Sequence, residues 1–91
     1  MSILCREYKN DDLDSVNEIL EECFNTTKNN FNEKNILEIV AECDGVVCGY
    51  LMLTKILNPI KNKHYYLVDY VCVSSKYRKI GVSDALMEYT T

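Results

Sequence analysis

The stretch "ILEIVAECDGVVCGYLMLTKIL", residues 36–57, limits the fold more than any other part of the chain. At its centre Asp44-Gly45 separates two β-rich runs. That is the pattern of a two-residue type I′ hairpin, in which both turn positions need positive φ. The turn sets a register, with Cys43 opposite Val46 and Ala41 opposite Cys48. One face then carries Leu37, Ile39, Ala41, Val46, Cys48, Tyr50 and Met52. The other carries Ile36, Val40, Val47, Leu51 and Leu53, with Glu38 and Glu42 as its only acids. Both faces are largely apolar, so the sheet is expected to be covered on both sides. Cys43 and Cys48 share a face only diagonally, roughly 7–8 Å apart, too far for an unstrained disulfide.

The rest of the chain offers material for such a sheet. "SILCREY" (2–8) reads as a first strand. "NDDLDS" follows with acids and cap formers, and Leu13, Val16, Ile19, Leu20, Cys23 and Phe24 recur at helical spacing, which predicts an amphipathic helix over 11–24. The acids at 11–22 fall off that stripe and read as a solvated helix face. Residues 25–35 are polar and asparagine-rich, a loop with a short helical turn at 31–35. "NPIKNKH" (58–64) is a second loop and "YYLVDYVCV" (65–73) a fourth strand, with Tyr66 and Tyr70 as core or groove wall. A final helix starts near 82–84. The order β-α-β-β-β-α implies an α/β chain, a mixed sheet with helices on both faces.

Ninety-one residues make one domain at most. A net charge of -4 argues against nucleic acid as a partner, because phosphate neutralisation needs a basic face. No apolar run approaches a membrane span, and "MSILCREYKNDD" lacks the form of a signal peptide, so a cytoplasmic location is expected. Five cysteines, an odd number with no CxxC pair, indicate neither a disulfide framework nor a metal site. Reduced, buried thiols are expected instead. His64 sits in a loop and reads as solvated.

"SSKYRKIGVSDALM" (74–87) follows the fourth strand. A strand, a tight basic loop with a glycine and a helix start form a recipe for binding an anion. The first helical turn has unpaired N–H groups and a partial positive charge, and a glycine lets phosphate approach the backbone. The same pieces also make an ordinary left-handed turn. With the hairpin "ECDGVVCGYLML" before it, "VDYVCVSSKYRKIGVSDALM" resembles the acyl-CoA motif of the GNAT superfamily of N-acetyltransferases. The family pattern Arg/Gln-x-x-Gly-x-Gly/Ala is similar to Arg78-Lys79-Ile80-Gly81-Val82-Ser83, and the family's opening order of elements matches nearly the whole chain.

The resemblance implies a GNAT-like fold and acetyl-CoA as co-substrate, with no metal. It implies that Arg78, Lys79, Ile80, Gly81, Val82 and Ser83 cradle the pyrophosphate. It also implies that the backbone of Val71 and Val73 pairs with the pantetheine arm like an added strand. Asp69 is the one acid inside the fourth strand. There it reads either as a solvent-reaching acid or, as family members often have it, as the base that takes a proton from the acceptor amine. The acceptor would be a small-molecule or peptide amine, and residues 25–35 would help to line its site. The chain departs from the family pattern at Ser83, at Lys79 where glycine is common, and at Asp84 in the first helical turn. It also resembles only the N-terminal half of the domain, residues 1–91 forming a single partial domain with the C-terminal part missing. The alternative is a non-catalytic module that binds coenzyme A or pairs through its fourth strand. The open fourth-strand edge implies a homodimer.

Overall fold

A computed structural model describes residues 2–30 and 34–90. The elements are β1 (Ile3–Glu7), a 3-10 turn (Asn10–Asp12), α1 (Leu13–Phe24), β2 (Ile36–Cys43), β3 (Val46–Asn58), β4 (Lys63–Val73), a second 3-10 turn (Ser75–Tyr77) and α2 (Val82–Tyr89). The four strands lie in the order β1-β2-β3-β4, and each of these pairs is antiparallel. α1 covers one face and α2 the other. This is the expected element order and α/β class. β4 starts two residues before the expected strand, so His64 belongs to a strand. The β3–β4 turn is closed by Asn58 Oδ1, which accepts the N–H groups of Ile60 (3.1 Å) and Lys61 (3.2 Å). Of the turn expected at 31–35, residues 31–33 lie outside the described residues, while Lys34 and Asn35 do form a turn. No helix among the described residues is long and apolar enough to cross a membrane.

The β2–β3 turn is as expected: Asp44 has φ 52° and Gly45 φ 85°, and Cys43 pairs with Val46. Further along, the register must be corrected. Ala41 pairs with Gly49, not Cys48, because a β-bulge adds one residue to β3. One extra residue swaps the faces of everything beyond it. Leu51 and Leu53 therefore join Ile39, Ala41 and Cys43 under α2, while Tyr50 and Met52 turn to α1. The reason lies in the helix. A Cβ on Gly49 would sit 2.7 Å from Val82 Cγ1 and 3.1 Å from Leu86 Cδ1. α2 rests on bare backbone, and the bulge presents that backbone to it. The bulge also corrects the cysteine geometry. Cys43 and Cys48 sulfurs are 3.1 Å apart and buried as free thiols, with Cys48 pushed up to about 12 by burial and by its bond to Cys43.

α1 buries Val16, Ile19 and Leu20 of the expected stripe against Val40, Tyr50 and Cys72, while Leu13 and Cys23 are half-buried and Phe24, at the helix end, is exposed. Of the acids at 11–22, Asp12 alone is buried, which corrects the expectation for that residue, while Glu22 stays exposed. Glu22 touches the loop after β4. Asp12 is 7% exposed. Arg6 grips Asp12 bidentately at 2.8 and 2.9 Å, and the Lys9 N–H donates to it at 2.8 Å. The guanidinium beside it holds the Asp12 carboxyl below the usual carboxylate range. The stabilisation this gives is present at neutral pH and is lost as acid protonates Asp12. Arg6 also donates to Glu42 at 2.5 Å, tying β1 to β2 and to the start of α1.

Coverage on both faces holds only near the helices. Residues 61–71 are all exposed, and the far half of the β3–β4 arm stands clear of α1 and α2. Tyr66 is 51% exposed, and Tyr70 keeps one edge-on contact, with Phe24 at 5.3 Å. Gly49→Ala tests the helix contact. Val82 is a stiff, buried side chain, so the added methyl should cost about 1–3 kcal/mol in urea unfolding. An unchanged midpoint would mean that α2 does not rest on Gly49 in solution.

Candidate functional site: a basic loop beside an open strand edge

β4 ends where the Ser74 N–H donates to the Cys48 carbonyl at 2.8 Å. One 3-10 turn follows, and then two residues adopt left-handed backbone, Lys79 (φ 67°) and Gly81 (φ 90°). Gly81 is the N-cap of α2, and its carbonyl accepts the first helical bond from Ala85 at 3.0 Å. The N–H groups of Val82, Ser83 and Asp84 precede any intrahelical acceptor, and the glycine brings no side chain to cap them. They face a cavity of about 210 Å³ lined by Val73, Arg78, Lys79, Gly81, Ser83 and Asp84 among others. A Cβ on Gly81 would meet nothing within 4 Å. The approach to the helix end is open, and a negative group there would find both the N–H groups and the positive end of the dipole.

A second hollow, about 290 Å³, continues along β4 and is lined by Cys23, Val71, Cys72, Val73, Arg78 and Ser83. The ladder register decides which backbone groups face it. Ser74 bonds to Cys48, so Ser74, Cys72 and Tyr70 point toward β3. Val71 and Val73 then point their N–H and C=O groups outward. Among the described residues no strand pairs with that edge. A second bulge lies at Met52/Leu53, where Asp69 is the extra residue of β4. It interrupts the outward row, which resumes at Val68, Tyr66 and His64.

Three side chains tie the loop to α1. Glu22 accepts the Ser75 N–H at 2.6 Å and the Ser75 hydroxyl at 3.1 Å. The Ser75 N–H holds the Glu22 carboxyl below its usual range. Arg78 Nε donates to the Val73 carbonyl at 3.2 Å, and its Nη2 reaches Cys23 Sγ at 3.4 Å and lies 3.9 Å from Glu22. The Cys23 thiol also donates to the Val73 carbonyl at 3.5 Å.

The structure thus brings together Val71, Val73, Arg78, Lys79, Gly81, Val82 and Ser83 around two adjoining hollows. Val82 takes part through its backbone, since its side chain is buried on Gly49. Ile80 lines neither hollow and is exposed. Asp69 also lies outside both. The bulge turns it to Thr54, whose hydroxyl it bonds, and away from the face with Val71 and Val73 where strict alternation puts it. It is exposed, not enclosed among apolar neighbours. Sequence reasoning missed Glu22 and Cys23 as parts of the site. Both lie in α1, more than 45 residues before the loop, with no spacing signal to join them to it.

Comparisons with known proteins bear on the family and the fold. The family model described as "Acetyltransferase (GNAT) family" matches residues 1–91. Among solved structures, a ribosomal-protein-alanine N-acetyltransferase from Brucella melitensis biovar Abortus superposes with TM-score 0.85 at 15% identity, covering 99% of this chain and 69% of the other. A GNAT family acetyltransferase from Staphylococcus aureus gives TM-score 0.84 at 18% identity, with 99% and 76% covered. An aminoglycoside acetyltransferase from an uncultured soil metagenomic sample gives 0.80 at 15%, with 97% and 66% covered. At these identities the likeness is one of fold. No curated protein sequence matches the chain.

Lys79 is the residue under backbone strain here. A left-handed non-glycine residue costs about 1–2 kcal/mol, partly offset by the freedom glycine has when unfolded. Lys79→Gly should therefore raise stability by about 0.5–1 kcal/mol in denaturant melts. A net loss would show that the loop does not hold this turn in solution.

Proposed function

The chain belongs to the GNAT acetyltransferase family, and on that premise we propose that it carries the acetyl-CoA-binding part of an N-acetyltransferase acting on an amine. One observation carries the reading. The left-handed Gly81 opens three helix N–H groups to a hollow that runs on into the outward backbone of Val71 and Val73. A coenzyme A molecule has the same two parts in sequence, a pyrophosphate and an amide-bearing arm. The N–H groups of residues 82–84, with Lys79 and Arg78, suit the pyrophosphate. The edge at Val71 and Val73 suits the arm as an added strand. Asp84 and Glu22 lie close by and oppose an anion. The N–H donors and the basic side chains outnumber them.

Acetyl-CoA would supply the activated acetyl group. The chain's own residues would hold it, keep the helix dipole on its phosphates, and receive the acceptor's proton. For that last role we propose Asp69, kept in place by the Thr54 hydroxyl. The acceptor is an amine, small-molecule or peptide. Calorimetry with coenzyme A and a thiol-release assay with amine acceptors test the reading together. Gly81→Val should weaken coenzyme A binding at least tenfold with the circular dichroism spectrum retained, because it blocks the approach and strains φ. Asp69→Asn should lower turnover about a hundredfold and leave coenzyme A affinity alone. A wild-type chain that does not bind coenzyme A would end the proposal, and an Asp69→Asn chain of normal rate would end the role of that residue.

The other half of the β4 edge suggests a partner. Before the Asp69 bulge, the outward groups belong to His64, Tyr66 and Val68, within an exposed, β-rich run. We propose that a second copy of the chain pairs there. Antiparallel pairing centred on Tyr66 sets the outward groups of Tyr66 against those of its copy and His64 of each chain against Val68 of the other, all short of the bulge. Sedimentation should show a dimer for the 91-residue chain and a monomer after Tyr66→Pro, which removes a central donor. A monomeric wild type would refute the pairing.

A further inference from the structure

We propose that Arg78 determines specificity by closing the open edge of β4 in the free protein and yielding it only to a ligand that carries phosphate. This rests on the acetyl-CoA reading above and assigns Arg78 a second task within it. A strand-like ligand on this edge needs the Val73 carbonyl as an acceptor, because that carbonyl points outward at the end of β4. In the structure the carbonyl already accepts from Arg78 Nε at 3.2 Å and from the Cys23 thiol at 3.5 Å. Arg78 also lines both hollows, so its side chain sits at their junction. The same side chain that suits a phosphate in one hollow covers the strand edge in the other.

The cover is held and yet can be released. Cys23 Sγ fixes one arm of the guanidinium at 3.4 Å. Glu22 lies 3.9 Å away, its carboxylate already engaged by Ser75. The partners of Arg78 are thus a neutral carbonyl, a thiol and a distant, half-satisfied carboxylate, in a side chain that is 53% exposed. A pyrophosphate offers the guanidinium a paired, charge-assisted contact that none of these can match. A pantetheine arm without phosphate offers nothing, and must compete with Arg78 for the Val73 carbonyl. The edge therefore opens for coenzyme A thioesters and stays closed to thioesters of phosphate-free thiols.

The two ligands give opposite signs in one experiment. Coenzyme A and pantetheine, which share the arm and differ in the phosphates and the adenosine they carry, are titrated by calorimetry into wild type, Arg78→Ala and Arg78→Lys. Arg78→Ala should weaken coenzyme A about tenfold and tighten pantetheine severalfold. Arg78→Lys keeps a charge without the planar fork, so it should tighten pantetheine while losing less coenzyme A affinity. In parallel, the Arg78 Nε–H resonance should be protected from solvent exchange in the free protein. It should shift on adding coenzyme A and stay put with pantetheine at the same concentration, moving only as pantetheine approaches saturation. Loss of affinity for both ligands, or pantetheine affinity that does not rise, overturns the cover while leaving coenzyme A binding intact. A wild type that binds neither ligand overturns the acetyl-CoA reading, and this inference with it.

Discussion

The contact between α2 and the bare backbone of Gly49 is the constraint on which the rest of the structure depends. An eight-residue helix does not persist in water on its own. α2 exists because Val82 and Leu86 are buried against β3, each contributing about 1.5–3 kcal/mol of apolar burial. Their seat needs a residue without a side chain facing α2, and the bulge at Ala41/Glu42 delivers one. With the helix seated, its first turn lies at the end of β4, and the chain has seven residues, 75–81, to get there. Left-handed turns at Lys79 and Gly81 make that short return feasible. The position of the N–H groups is thus set from the core outward.

Much of this was legible in the sequence, and what was not has a physical reason. The hairpin turn, the α1 stripe, the element order and the loop could all be read, because each is announced by local chemistry: Asp44-Gly45, a 3.6-residue period, a basic run with one glycine. The two bulges could not. A period-2 pattern reveals a bulge only where one face is polar, and here both faces of β3, and of β4 apart from Asp69 itself, are largely apolar, so a shift of one residue leaves the pattern looking the same. The consequences were large in each case. At Cys48 the slip exchanged the faces of Tyr50 and Leu51 and brought two thiols together. At Asp69 it moved the candidate base off the face of Val71 and Val73.

The site shows the same division. Gly81 and its helix start were readable, and the structure explains why the position of Lys79 favours glycine, since φ there is 67°. Glu22 was read as one of several solvated acids. Composition cannot separate it from Glu18 or Glu21, because what singles it out is Ser75, 53 residues further on. Asp12 is a similar case, its burial depending on Arg6 and on the entry angle of α1.

A chain of net charge -4 is an odd host for the pyrophosphate proposed above, and the arrangement around Glu22 bears on that oddity. Net charge governs steering at long range, but salt screens it beyond roughly 8–10 Å. Inside that distance the donors of the α2 turn act together with Lys79 and Arg78, and their direction matters more than the sum of charges. A loop carrying Lys76, Arg78 and Lys79 within four residues would repel itself if left alone. Glu22 supplies the counter-charge from a rigid helix and takes the Ser75 N–H, so the loop is ordered before any ligand arrives. An acid that weakens the attraction for an anion thereby lowers the entropy that binding must overcome. Since Glu22 binds the start of the loop while the N–H groups of α2 lie at its end, order is imposed at one end and the proposed anion would be met at the other.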